Sequence, residues 1–147
     1  MTRRRRLTSS LLPAAVAAAF LLAGCGGQSD DESAATPAAL EQIAGTELNR
    51  ITLTPEAAKR LGVRTAHARG NGKRTVIPYA AVLYDPDGKT WTYTSPQRLV
   101  FVREDIKVDR IDGNSAILTA GPPAGTAVVV VGSDELWGVE YGGIEED

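Results

Sequence analysis

The chain has 147 residues, with 16 Lys and Arg, 18 Asp and Glu, one Cys and one His. This length is typical of one ordinary domain. The single Cys, Cys25, excludes an intramolecular disulfide, and together with His67 it leaves too few soft ligands for a transition-metal centre. We therefore expect neither a metal nor another cofactor.

The N-terminus has the pattern of an export signal. Residues 3–6 are all Arg, and an apolar stretch follows at residues 11–22. That stretch is shorter than the ~20 apolar residues that a transmembrane helix needs, and it has the length of the central region of a secretory signal. The Arg run is compatible with general export and with twin-arginine export.

Four residues at the end of this signal, Leu22, Ala23, Gly24 and Cys25, resemble the lipobox of bacterial lipoproteins. In that motif the Cys is acylated and becomes the first residue of the mature chain. We predict a lipoprotein signal peptide at residues 1–24 and lipidation of Cys25. The alternative is an ordinary signal peptide followed by an unrelated Cys.

The mature chain is acidic, because cleavage before Cys25 leaves 12 of the 16 basic side chains against all 18 acidic ones. Nucleic-acid binding needs clustered Lys and Arg, so we expect no nucleic-acid partner. Two or three acyl chains give stable anchoring. We therefore expect attachment to the outer face of the cytoplasmic membrane through the lipid and not through surface charge.

A composition change divides the mature chain. Residues 25–49 are rich in Gly, Ser, Asp, Glu, Ala and Thr, a composition that buries little apolar surface, and we predict a flexible tether after the acylated Cys. Residues 50–143 have the periodicity of a folded domain. The acidic residues 144–147 are expected to form a solvated tail.

Short strands dominate the predicted domain. The pattern predicts strands at 51–53, 63–68, 75–84, 90–94, 99–103, 106–111, 115–119 and 128–131, with a bend at Pro78. Turn signals recur about every ten residues, which favours an all-β roll, sandwich or barrel. The fold class we predict is mainly β, a small roll or barrel-like domain with one or two short helices.

Local signals define the helices and turns. Thr54 as N-cap, Pro55 at the first helical position and Gly62 past the end delimit about two helical turns. A second short helix or turn is predicted to begin with Ser133 as its cap. The sequences at 70–72 and 85–88 predict tight turns.

Two strands carry further expectations. The alternation in residues 90–94 places Trp91 and Tyr93 on one face, where we expect them to pack in the core. The uninterrupted run of Val at residues 128–131 is typical of a strand that is buried on both faces or lies centrally in a sheet.

The segment from Ile77 to Tyr93 resembles the stretch by which periplasmic adaptor subunits, or membrane fusion proteins, of efflux and secretion systems enter their membrane-proximal domain. The similarity includes the Pro78 to Leu83 stretch, a turn at Gly88 and an aromatic strand, and it continues to the turn Gly125 and the Val strand. Residues 51–68 resemble the segment that precedes the first lipoyl-like half of such adaptors.

That resemblance implies a membrane-proximal type of fold without the lipoyl halves and the α-helical hairpin of a full adaptor. A mature chain of this length does not bridge two membranes, so we expect an accessory module that contacts a transporter permease. The alternative is a standalone envelope lipoprotein that binds a small ligand or a cell-wall component. The oligomeric state is open.

No set of residues has the pattern of an active site, and we expect no enzyme. His67 lies in a predicted strand without a second His. The turns already explain the carboxylates Asp85, Asp87 and Asp112. No Ser lies in the Gly-X-Ser-X-Gly motif of a nucleophile elbow.

Two aromatic residues near the end of the domain, Trp137 and Tyr141, are the best candidates for an exposed contact surface. Large aromatic side chains often anchor protein interfaces, because they bury much area at a low cost in conformational entropy. We predict that these two residues contact a partner.

Overall fold

A computed structural model describes residues 36–142 of the chain. The signal peptide, the lipobox with Cys25 and the acidic tail lie outside these residues. The elements are β1 (Ala38–Gln42), β2 (Asn49–Leu53), α1 (Pro55–Leu61), β3 (Arg64–His67), β4 (Arg69–Asn71), β5 (Arg74–Pro78), a 3-10 turn (Tyr79–Ala81), β6 (Leu83–Tyr84), β7 (Thr90–Gln97), β8 (Val100–Asp112), β9 (Ser115–Ala120), β10 (Ala127–Val131) and α2 (Ser133–Gly142).

The strands form a nearly closed, antiparallel, barrel-like sheet, and the predicted fold class is confirmed. Seven strands follow the order β3-β10-β7-β8-β9-β5-β4, and β1, β2 and β6 pair outside this path. The long strand β8 pairs with β2 through residues 100–102 and with β9 through residues 107–112. Residues 103–106 of β8 therefore pair with β7 alone, which opens a gap beside Arg103.

The local signals of the first helix act as predicted. The Thr54 hydroxyl accepts a hydrogen bond from the Ala57 backbone N–H at 3.1 Å, and Pro55 begins α1. Gly62 ends the helix with φ of 65°, a conformation that costs glycine little because it has no Cβ.

The core consists of two apolar clusters on opposite sides of the central strands. Tyr93, Phe101 and Leu136 lie in the first cluster, and Ile77 and Ile106 lie in the second. The Val run of β10 contributes Val129 to the first cluster and Val128 to the second, and both are fully buried. The prediction that this strand is buried on both faces is therefore confirmed.

The folded domain begins earlier than predicted. Strand β1 lies within the segment predicted as tether, and it pairs with β2 from Ala38 opposite Leu53 to Gln42 opposite Asn49. Ala38 is only 4% exposed. The polar composition of residues 25–49 hid this strand, in which only Ala38 is buried and Leu40 is half-buried against the first core cluster.

Three local predictions are corrected. Strand β8 is continuous, although the sequence predicted two strands divided at residues 104 and 105. The turn predicted at residues 70–72 lies at Gly72 and Lys73, because residues 69–71 form β4. Ser133 is the first residue of α2 and its hydroxyl donates to the Val129 carbonyl at 3.5 Å, so it does not cap the helix.

Candidate functional site

Arg103 lies at the centre of the candidate site. It is on β8 directly opposite Tyr93 of β7, and the alternation of the strand places it on the same face as the core residue Phe101. The whole residue is only 5% exposed. A charged side chain this deep requires compensating partners.

Three aromatic rings surround its guanidinium group. The Cζ atom lies 4.2 Å from the ring centroid of Trp91, 4.8 Å from that of Trp137 and 5.2 Å from that of Tyr141. Trp91 is a diagonal cross-strand neighbour of Arg103, and the other two rings lie one helical turn apart on α2. Trp137 and Tyr141 stack on each other with centroids 4.9 Å apart.

Glu140 of α2 supplies the counter-charge. Its Oε2 atom lies 3.2 Å from Arg103 Nε, and its side chain is 2% exposed. The N–H of that nitrogen is not directed at the oxygen, so the contact is an ion pair without a hydrogen bond. The Tyr93 hydroxyl donates a hydrogen bond to the same Glu140 oxygen. Burial, with this carboxylate beside it, raises the pKa of Tyr93 far above its usual range.

An open cleft of about 570 Å³ adjoins this cluster at the gap beside β8. The two rings on its wall belong to Trp91 and Tyr141, and Arg103 also lines it. Five carboxylates and one further cation complete the charged lining: Glu47, Asp85, Asp87, Glu104, Asp105 and Lys89. The lining therefore carries a net negative charge.

Two of these carboxylates differ in their environment. Asp85 accepts hydrogen bonds from Trp91 Nε1 at 3.0 Å and from the Lys89 backbone N–H at 2.8 Å, and the bond from Trp91 holds its pKa below the usual range. It also fixes the Trp91 ring at the cleft wall. Glu104 is half-buried, and burial raises its pKa.

The two predicted contact residues differ in their exposure. Tyr141 is 60% exposed at the edge of the cleft, whereas Trp137 is half-buried and packs against the first core cluster. Tyr93 is fully buried as expected, and Trp91 is half-buried at the cleft. His67 lies elsewhere, in an exposed position where its Nδ1 atom is 3.0 Å from the Gly125 carbonyl oxygen.

Sequence reasoning missed Arg103 and Glu140, although each had a signal. Arg103 follows Phe101 by two residues on a strand, and Glu140 follows Leu136 by four residues on a helix. Each charge thus occupies a position that faces the core. A charge at such a position is uncommon unless it is paired, and the two positions together predict a buried ion pair.

The cleft lining consists mainly of charged side chains and two aromatic rings. Within residues 36–142, no three His, Cys, Asp or Glu side chains form a group that could hold a metal ion. In the same part of the chain, neither helix has both the length and the apolar character needed to cross a membrane.

Comparison of the chain with protein-family models, with curated proteins and with solved structures gives no match.

Proposed function

We propose that this protein is a lipid-anchored, non-enzymatic lipoprotein of the cell envelope and an accessory, adaptor-like module of a membrane transporter. The export pattern that ends at Cys25 supports the anchor, on the outer face of the cytoplasmic membrane. The resemblance of residues 77–93 to efflux adaptors supports the transporter. The observation that carries the contact is Tyr141, an exposed ring at the edge of an acidic cleft.

Tyr141 suits a protein interface because its ring is held before any partner arrives. One neighbour is Trp137, stacked at 4.9 Å, and the other is the Arg103 guanidinium. An ordered side chain loses little conformational entropy on binding, and this increases affinity. The carboxylates of the cleft favour a partner surface that carries Lys or Arg.

A pull-down with the acylated, tagged protein in detergent tests the transporter contact. We expect mass spectrometry to identify a permease or an ATP-binding transporter subunit. Tyr141→Ala should weaken this capture by about tenfold or more, as loss of an interface anchor does. The matched control is Tyr84→Ala, which removes another exposed Tyr, 56% exposed, that does not line the cleft. Equal capture by the two variants would contradict the role of Tyr141.

The membrane anchor is tested separately. Cys25→Ala removes the only thiol, and a thioether-linked diacylglycerol cannot form without it. We expect the variant in the soluble fraction after cell disruption, and the unaltered protein in the membrane fraction. Retention of the variant on membranes that have been washed with high salt would contradict lipid anchoring.

The cleft favours a second candidate function, the binding of a small ligand. Its volume of about 570 Å³ is within the range of ligand sites, and a buried Arg lines it. An accessory module of a transporter and a ligand-binding lipoprotein are compatible, because Tyr141 lies at the edge of the cleft and Arg103 lies at its base. A rise in Tm with a bound ligand would support this candidate.

A further inference from the structure

The cleft combines a deeply buried cation with a ring of carboxylates, and this pairing indicates the charge pattern of its ligand. We propose that the cleft binds a small amino carboxylate, with the carboxylate of the ligand on Arg103 and its ammonium group among the acidic side chains of the cleft. The inference rests on the ligand-binding function proposed above, and its test is separate from that of the transporter contact.

Arg103 provides the anionic end of the site. Its side chain is 6% exposed, and it lines the cleft. Its Nε lies 3.2 Å from Glu140 Oε2, on the side of the guanidinium group that the ion pair occupies, so the donors left for a ligand are those of the two terminal nitrogens. A guanidinium group has five N–H donors, and the ion pair with Glu140 occupies only one side of it. The aromatic rings hold the group in place, so a ligand carboxylate meets a donor that is already oriented.

The carboxylates provide the cationic end. Glu47 and Asp87 are exposed at the cleft, and no Lys or Arg of the described residues lies within ion-pair distance of either. Glu104 is half-buried, so part of its hydration is already lost. Because no three such side chains of residues 36–142 converge on one point, the lining suits an organic ammonium group better than a metal ion.

A ligand with a single charge pairs either with Arg103 or with the carboxylates of the cleft, but not with both. An anion alone meets Arg103 but is repelled by five carboxylates, and a dianionic phosphate is repelled more strongly than a carboxylate. A cation alone meets the carboxylates but leaves the donors of Arg103 unused. A molecule with both groups avoids both costs, and this favours an amino carboxylate.

Titration of the full chain in detergent with four probes tests the proposal. The probes are glycine, 6-aminohexanoate, hexanoate and hexylamine, and the last three share one carbon chain and differ only in charge. The chain has two Trp, so the indole N–H region of an NMR spectrum contains two signals, and Trp91→Phe identifies the one at the cleft. We expect at least one amino carboxylate to shift the Trp91 signal and to bind about tenfold tighter than hexanoate and hexylamine, as one additional charge-assisted hydrogen bond implies.

Variants assign the two ends. Arg103→Lys keeps the charge but loses the planar donor set, and we expect it to weaken amino carboxylate binding by about tenfold. Because Arg103 is buried, a second variant leaves the core untouched: Glu47→Gln with Asp87→Asn removes two exposed carboxylates of the cleft. This double variant should weaken amino carboxylate and hexylamine binding and spare hexanoate. The control is Glu135→Gln with Asp112→Asn, two exposed carboxylates outside the cleft, which should change nothing.

The outcomes separate this inference from the function on which it rests. Hexylamine or hexanoate binding as tightly as 6-aminohexanoate would overturn the amino carboxylate and leave ligand binding in place. Binding of an amino carboxylate that is unaffected by the variants at the cleft would also overturn the assignment. No shift of the Trp91 signal with any probe would overturn both the inference and the ligand-binding candidate, and the transporter contact would still stand on its own test.

Discussion

Arg103 and Glu140 form a buried ion pair that joins β8 to the C-terminal helix. Removing two charges from water has a large free-energy cost, and only close partners offset it. Here the partners are the hydrogen bond from Tyr93 and the contacts of the guanidinium with three rings. Such a cation–ring contact is worth about 0.5–1 kcal/mol at an exposed site and about 2 kcal/mol or more when desolvated. The pair therefore specifies one position of α2, since any other position would leave a buried charge alone.

Tyr93 makes the stability of the folded protein fall at alkaline pH. Its pKa is raised in the folded protein by burial, and then by Glu140, whereas in the unfolded chain it is near the ordinary value of about 10. The folded state therefore keeps the phenol proton at pH values where the unfolded chain loses it. The stabilisation is complete below about pH 10 and is lost as the pH rises further, by about 1.4 kcal/mol per pH unit.

The variant Tyr93→Phe isolates this effect. We expect it to lower the free energy of unfolding at neutral pH by about 1–3 kcal/mol, because Glu140 loses its donor. Above pH 10 its stability should fall less steeply than that of the unaltered protein, as measured by urea unfolding at a series of pH values. Tyr141→Phe is the control and should keep the steep fall. Equal slopes for the unaltered protein and Tyr93→Phe would contradict the assignment.

The connection from β10 to α2 depends on Gly132. Its φ is +90°, and a Cβ at this position would lie 3.0 Å from Val63 Cγ2 and 3.3 Å from Val63 Cα. One of these two atoms, Val63 Cα, belongs to the backbone, so Val63 cannot move aside by a change of rotamer alone. This turn directs α2 across the sheet, where Leu136 is fully buried in the first core cluster.

Gly132→Ala is therefore expected to destabilise the fold by about 1–3 kcal/mol, from the unfavourable φ and the close contact together. The matched change is Gly138→Ala within α2, where a Cβ would meet nothing within 4 Å. That variant should stabilise the protein by about 0.5–1 kcal/mol, because Ala has the higher helix propensity. Thermal unfolding of both variants measures the difference, and shifts of the same sign would contradict this account of the turn.

Sequence patterns identified the elements whose signals are local. The cap at Thr54, the turn at Gly88 with φ of 80° and the buried Val run all depend on neighbouring residues, and the structure has them as predicted. Strand β1 was missed because its order comes from pairing with β2 and not from its own composition. The division of β8 was wrong because charged residues at 103–105 resemble a loop, whereas here they line a cleft.

The candidate site depends on contacts between distant parts of the chain, which a linear pattern does not contain. Arg103 meets Trp91 because two strands pair in one register, and it meets Glu140 because α2 packs across that sheet. The sequence predicted Trp137 and Tyr141 as contact residues from their type and their place near the end of the domain, and this contact stays a prediction. The sequence contained the signal of a charge at a core position, but it did not specify which charge lies opposite which.

The folded domain begins with β1, before the boundary at residue 50 that composition predicts. Strand β1 covers β2 through five residue pairs, and the Thr54 backbone N–H donates to the Pro37 carbonyl at 3.0 Å. Without β1, Ile51 and Leu53 lose cover, each a side chain whose burial is worth about 1.5–3 kcal/mol. That loss is large against a total stability of about 5–15 kcal/mol.

A chain that begins at residue 36 should thus unfold cooperatively in urea, with a circular dichroism spectrum rich in β-structure. A chain that begins at residue 50, the boundary that composition predicts, should lose several kcal/mol of stability or fail to fold. The control is Glu41→Gln in the longer chain, which removes only an exposed ion pair with Arg50 and should change the free energy of unfolding by less than about 1 kcal/mol. Equal stability of the two chains would mean that β1 only lies against the barrel. A loss of stability in the shorter chain alone would show that β1 is an integral strand. The two chains differ only in residues 36–49, which pair with β2 and cover the first core cluster.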